Sequence, residues 1–234
     1  MAGATNVNLE KVIRDSIAAG GFPGSVSIPL GSFTNGHAAL AAVGAGTVGL
    51  AAAISGGTPI QVIQWDDTAD NNDVLRCSVV LPADFRGVRQ TSVETVDPVC
   101  KLYLKLRLWD NTAAGAGTAG PTNDNLVLST QATFHAVGDA DPIDSTPESA
   151  AVGAVDYLAN DALGFKWYEF DLTNGLTATQ MESVAALSTL DLAIAPNEQI
   201  AATTLMYLEL AGAILIYDKH ATIPDAVIDS IPSA

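Results

Sequence analysis

The stretch "VCKLYLKLRLWD", residues 99–110, decides how the chain is read. In it Cys100, Leu102, Leu104, Leu106 and Leu108 alternate with Lys101, Tyr103, Lys105, Arg107 and Trp109. Successive side chains of a β-strand point to opposite faces. The period of two therefore predicts a strand with a leucine face in a core and a basic, aromatic face toward solvent. That basic face belongs to a chain of 234 residues with a formal net charge of −16.

The charge is unevenly placed. Of ten basic residues, six (Arg76, Arg86, Arg89, Lys101, Lys105, Arg107) fall between 76 and 107, opposed there only by Asp84, Glu94 and Asp97. From Asp110 onward, seventeen acids face Lys166 and Lys219 alone. Such a separation suits a fixed meeting between copies of the chain, or with an acidic partner. The competing expectation is that Lys105 and Arg107 pair with acids on a neighbouring strand of the same chain. An acidic balance disfavours nucleic acid and anionic membrane as partners. With 48% hydrophobic and 15% charged residues, the composition is that of a globular chain rather than a disordered one. No uninterrupted apolar run reaches the roughly 18 residues of a transmembrane helix. The opening "MAGATNVNLEKVIRD" lacks the basic-then-apolar order of a signal peptide, so synthesis in a cytosol is expected.

Outward from this stretch, strand signals recur at Ser25–Leu30, Ile60–Trp65, Asp73–Leu81, Asn125–His135, Phe165–Leu172, Leu190–Ala195 and Thr203–Asp218. Turn formers such as "DDTADNND", "GAGTAGPTND" and "GDADPIDSTPES" separate them. Eight strands with polar loops predict an all-β fold, an eight-stranded antiparallel jelly-roll β-sandwich over residues 23–218. Before it, "NLEKVIRDSIAAGG" predicts a short N-terminal helix or arm within 1–22, stopped by Gly20, Gly21 and Pro23. After it, residues 219–234 read as an extended C-terminal tail. "FKWYEFDL" alternates as well, and its Glu169 and Asp171 are expected cross-strand partners of Lys105 and Arg107. Gly212 interrupts the alternation of the last strand, which predicts a bulge. "ESAAVGAVDYLA" reads as a short helix.

Little in the sequence points to chemistry. Cys77 and Cys100 share strand parity with leucines and valines, so both are expected in the core as free thiols. "GAGTVG" (Gly44, Gly46, Gly49) has dinucleotide-binding spacing, but "LAAAISGGTPI" after it holds no full crossover helix. No G-x-S-x-G elbow accompanies His37, His135 or His220. The "DDTADNND" run offers oxygen ligands for Ca²⁺ and lacks the glycine and terminal glutamate of an EF-hand, so a solvated turn explains it equally well. The expectation is therefore a protein that is not an enzyme, with no catalytic residue, cofactor or metal.

"SIPLGSFTN" at 27–35, an Ala/Gly-rich connector at 37–59, "VVLPADF" at 79–85 and the closing "LMYLELAGAILIYD" together resemble the jelly-roll decoration (cement) proteins of tailed bacteriophages. The resemblance spans roughly residues 25–218 and implies a virion structural protein on the capsid exterior. It also implies homotrimers bound to the major capsid protein, without enzymatic activity or cofactor. Read with the opening stretch, it makes Lys101, Tyr103, Lys105, Arg107 and Trp109 the expected interface residues. The alternative expectation is a glycan-binding or receptor-binding jelly roll of a tail or fibre, stacking sugars on Trp65, Trp109, Trp167 and Tyr103.

Overall fold

All eight expected strands form. In a computed structural model, the residues described are 23–36, 38–44, 47–55, 58–65, 73–90, 96–110, 125–135, 142–153, 165–197 and 206–219. Among them the strands are, in chain order, β1 (Pro23–Ile28), β2 (Thr34–Asn35), β3 (Ala38–Ala39), β4 (Val48–Ser55), β5 (Thr58–Trp65), β6 (Leu75–Val80), β7 (Phe85–Arg86) and β8 (Val88–Gln90). Then follow β9 (Val96–Pro98), β10 (Cys100–Asp110), β11 (Asn125–His135), β12 (Ile143–Asp144), β13 (Glu148–Gly153), β14 (Lys166–Asp171), β15 (Thr189–Pro196) and β16 (Met206–Lys219). One helix, α1 (Ala178–Ser183), precedes β15.

The strands make an antiparallel sandwich. The first sheet runs β14-β10-β16-β5-β4, with β1 and β7 also paired to β16; the second runs β12-β11-β15-β6-β2-β3, with β13 on β11. β8 and β9 form a separate two-stranded ribbon. Between the sheets lies one core, built as the alternation requires. Leu102, Leu104, Leu106 and Leu108 of β10 meet Leu128 and Phe134 of β11 and Leu190, Leu192 and Ile194 of β15 within it. Tyr168 and Phe170 enter from β14 and Leu172 from the turn just after it, and both cysteines are buried and free. Truncating one such leucine to alanine costs about 2–5 kcal/mol.

The bulge also forms. The β10–β16 register runs Lys105↔Gly212 and then Leu106↔Leu210, which leaves Ala211 as the extra residue. This shift keeps Leu208 and Leu210 on the same core face as Leu215 and Tyr217 on either side of it.

Three expectations are corrected. The connector 37–59 contains a strand, since β4 pairs with β5 along its whole length from Val48↔Trp65 to Ser55↔Thr58. Alanine-rich "VGLAAAIS" carries weak strand propensity, and pairing within a hairpin overrides it. Its Gly49 allows the backbone of 41–43 to cross closely, because a Cβ there would lie 2.7 Å from Ala41 O and Val43 N. Thus the third glycine of "GAGTVG" serves a strand contact, and the helix a dinucleotide site requires is replaced by a strand. The expected helix at "ESAAVGAVDYLA" begins as β13, which pairs Asn125↔Gly153 through Thr130↔Glu148 with β11. Short strands raise the count past eight, and among the described residues each of the two large sheets holds seven.

α1 was missed, although it carries its own signal. Thr177 and Gln180 form a capping box: the Gln180 N–H donates to Thr177 Oγ1 at 3.3 Å and the Thr177 N–H donates to Gln180 Oε1 at 2.9 Å. Met181 fixes the helix to the core. None of the helices among the described residues is long and apolar enough to cross a membrane. The N-terminal segment 1–22, the Asp-rich 66–72 and the tail beyond Lys219 lie outside the described residues.

Candidate functional site

Three surfaces present chemistry: the outer face of β10, the pole where β1 begins and β16 ends, and a cleft over the second sheet.

The outer face of β10 is not the solvent face its alternation predicts. Tyr103 is 0% exposed and Arg107 is 3% exposed. Lys101 and Lys105 are half-buried, and of Trp109 only the backbone position, opposite Tyr207, is described. Arg107 lies opposite Glu209 of β16, itself 1% exposed. Its Nε donates to Glu209 Oε2 at 2.8 Å and Nη2 to the same oxygen at 2.5 Å. Its guanidinium carbon also stands 4.6 Å from the centroid of the Phe165 ring. Glu169 of β14, opposite Tyr103, accepts hydrogen bonds from both Lys101 and the Tyr103 hydroxyl. Burial first, and then the Glu169 carboxylate, push the Tyr103 phenol well above its ordinary pKa.

The neighbouring-strand expectation thus describes this face better than the interface one. The partners differ from those expected: Glu209, not Glu169 or Asp171, takes Arg107, and Lys105 lies opposite Gly212 and Trp167. The physical reason is that the outer face of this sheet is itself buried in places. Val62 and Ile216 stand on it outside the main core cluster and are also buried. A charge held there needs a partner at contact distance.

At the pole, Pro23 pairs with Asp218 and Gly24 with Tyr217, so the chain enters and leaves the sandwich side by side. β7 adds Asp218↔Arg86 and Lys219↔Phe85. Arg89 grips Asp218 with two hydrogen bonds, Nε to Oδ2 at 2.7 Å and Nη2 to Oδ1 at 2.5 Å. This bidentate contact raises the Arg89 pKa further. Tyr217 donates to Asp84 Oδ1 at 2.8 Å and packs on Phe85 at 5.4 Å between ring centroids. Gly24 lies under the Tyr217 ring, and a Cβ there would come within 2.4 Å of it. Arg86 is half-buried and Lys219 exposed at the rim. Nothing local in the sequence joins Arg89 to Asp218 or Asp84 to Tyr217, because each contact spans more than a hundred residues.

The third surface is a cleft of about 420 Å³ lined by Ser32, Thr34, Gly36, Arg76, Cys77, Ser78, Asp191 and Leu192. It opens where β2 leaves β6 after pairing only with Leu75 and Arg76. Ser78 donates to Asp191 Oδ1, and His135 Nε2 lies 2.9 Å from Asp191 Oδ2. The order is serine–aspartate–histidine, with the acid in the middle. A nucleophilic triad needs the histidine between the other two. His135 is therefore tied into the sheet surface, in keeping with its strand-end position. Burial, offset in part by the Ser32 hydroxyl at 3.3 Å, raises the Cys77 thiol above its ordinary value.

The sugar-stacking expectation loses two of its aromatics. Trp65 is fully buried in the core with its Nε1 donating to Asp73 O at 2.9 Å, and Tyr103 is buried as described. Trp167 is half-buried beside Gly212. Among the described residues, no group of three or more His, Cys, Asp or Glu side chains is placed to hold a metal ion. The calcium reading of "DDTADNND" falls almost wholly outside them.

No family model matches the chain. No curated protein matches it. Among solved structures it is similar to the CBM22-1–GH10 modules of Clostridium thermocellum xylanase 10B, complexed with xylohexaose. There identity is 9% and the TM-score 0.39, over 87% of this chain and 29% of that one. It is also similar to CBM28, a carbohydrate-binding module specific for non-crystalline cellulose, at 12% identity and a TM-score of 0.34 over 74% of this chain and 79% of the module. A third similarity is to carbohydrate-binding modules of the β-sandwich superfamily, at 8% identity and a TM-score of 0.30 over 82% and 56%. The chain thus spans less than a third of the xylanase chain it matches.

Proposed function

We propose that the chain is a non-enzymatic structural protein of a tailed-bacteriophage virion, decorating and stabilising the capsid exterior through contacts with the major capsid protein and with copies of itself as a homotrimer. The observation that supports this most is the pole. Residues 1–22 and 220–234 join the sandwich at neighbouring positions, since Pro23 pairs with Asp218. One end of the molecule therefore carries both flanking segments beside the Arg89–Asp218 clamp and the Arg86 and Lys219 rim. A rigid sandwich with both flanking segments rooted at one end is suited to grip a single partner at that end, and many copies on a lattice add their contacts.

This reading moves the expected contact from the outer face of β10 to the pole. Its partner is a protein, not a nucleic acid or a membrane. The test is cosedimentation of the full chain with shells of assembled major capsid protein, alongside its mass in solution by light scattering. The wild-type chain is expected to bind shells, and Arg86→Glu with Lys219→Glu to bind at least about tenfold more weakly with unchanged thermal unfolding. A chain that ignores the shells, or a double variant that binds them equally well, would overturn the reading.

A further inference from the structure

We propose that the cleft over the second sheet is a binding site for a neutral, hydroxyl-rich ligand, a terminal sugar of a glycan, held between Asp191 and Arg76. This stands apart from the decoration reading and from the pole, because none of its residues lies there.

The wall chemistry selects the ligand class. Asp191 reaches the cleft from β15 and is 44% exposed on its side chain, with one oxygen taken by Ser78 and the other by His135. A carboxylate offers about four acceptor positions, so each oxygen retains one for an incoming hydroxyl. Arg76, two residues from Ser78 on the same face of β6, is exposed and supplies a planar fork of donors. Ser32 and Thr34 close the other side. The Ser32 hydroxyl donates to Pro29 O at 2.7 Å and meets Cys77 Sγ at 3.3 Å, and the Thr34 hydroxyl is shared between Gly36 O at 3.1 Å and Arg76 O at 3.2 Å, so what each still offers the cleft is an acceptor lone pair. An acceptor carboxylate, a donor guanidinium and accepting hydroxyls match the paired donor–acceptor character of vicinal diols.

Other ligands fit less well. An anion meets the Asp191 carboxylate on a chain of net charge −16. A metal ion would find a single carboxylate among the described lining residues. An apolar ligand would strip water from the Arg76 guanidinium and from the remaining acceptor positions of Asp191 without replacing its hydrogen bonds. The volume of about 420 Å³ lies within the range of small-molecule sites. No aromatic residue lines the cleft among the described residues, so affinity rests on hydrogen bonds and is expected to be millimolar. Multiple copies of the chain would raise it through avidity.

The test is a two-dimensional amide NMR titration of the full chain with methyl α-D-glucopyranoside, methyl α-D-mannopyranoside and methyl β-D-galactopyranoside, with inorganic phosphate as the anionic comparison. At least one glycoside is expected to give saturable shifts at Arg76, Ser78 and Asp191. Asp191→Ala and Arg76→Ala should each weaken it by about tenfold or more while thermal unfolding stays close to that of the wild type. The site is overturned if no glycoside saturates these amides, if binding survives both substitutions, or if phosphate alone shifts them. Should Asp191→Ala disturb folding, Arg76→Ala decides the matter, because Arg76 is exposed.

Discussion

The outer faces of the two sheets carry similar residues and treat them in opposite ways. On the first sheet, Arg107 and Glu209 meet with only a few per cent of either exposed, and Tyr103 is sealed in beside the Glu169 that bonds it. On the second, Asp191 and His135 meet with more than two-fifths of each side chain in water, and Arg76 and Ser78 stand exposed. A polar residue at every second position of a strand therefore says which face it occupies, and not whether that face is wet. Where the face is buried, charges become structural and must be paired within the chain. Where it is open, the same residue types remain available for a ligand.

The largest expected effect lies on the buried face. Glu209→Ala leaves the Arg107 guanidinium buried without its carboxylate and is expected to cost about 3–5 kcal/mol, read as a shift in the urea midpoint. Arg107→Glu would set two carboxylates against each other in the same place, so its expected outcome is failure to fold, not dissociation of an oligomer. On the open face, Asp191→Ala is expected to cost less than about 1 kcal/mol, since the pair it breaks is solvated. Equal losses in Glu209→Ala and Asp191→Ala would break the contrast between the sheets.

An intermediate effect is expected at the pole. Arg89 and Asp218 are more enclosed than Asp191 and His135 but less than Arg107 and Glu209. Asp218→Ala is accordingly expected to cost about 2 kcal/mol in the same measurement. Tyr103→Phe keeps the ring and deletes one charge-assisted hydrogen bond to Glu169, for about 1.5 kcal/mol.

How much of this was legible follows from where the information resides. Parity was legible: Leu102 through Leu108, Tyr168, Phe170 and both cysteines point inward as the period of two requires. The bulge was legible because a glycine in a strand has few other uses. β4 and β13 were not, since alanine runs satisfy helix, strand and connector alike and only pairing with β5 and β11 decides among them. The burial of Tyr103 and Arg107 was not, because exposure belongs to the tertiary structure. The cleft was not either: Thr34, Arg76 and Asp191 lie on three strands, and nothing local in the sequence ties them together.

The smallest effect sharpens the contrast, because it lies where the two sheets meet. Glu148 opens β13 of the second sheet. Its carboxyl is raised above the usual glutamate value by burial first, then by Asp171 and Glu169 of the first sheet, while Lys101 pulls the other way. A carboxyl with a raised folded-state pKa binds its proton more tightly in the folded than in the unfolded chain. Its stabilising contribution is therefore complete below the ordinary glutamate range and is lost as pH rises through the folded value. Glu148→Gln removes that dependence. It is expected to match the wild type under acidic conditions and to exceed it at neutral pH by roughly a few tenths of a kcal/mol, because the site is partly solvated. Urea midpoints of the two proteins across that interval give the comparison directly. A wild type that is the more stable of the two at neutral pH would mean that Lys101 outweighs both acids, and that the seam between the sheets is held by an ion pair instead of strained by like charges.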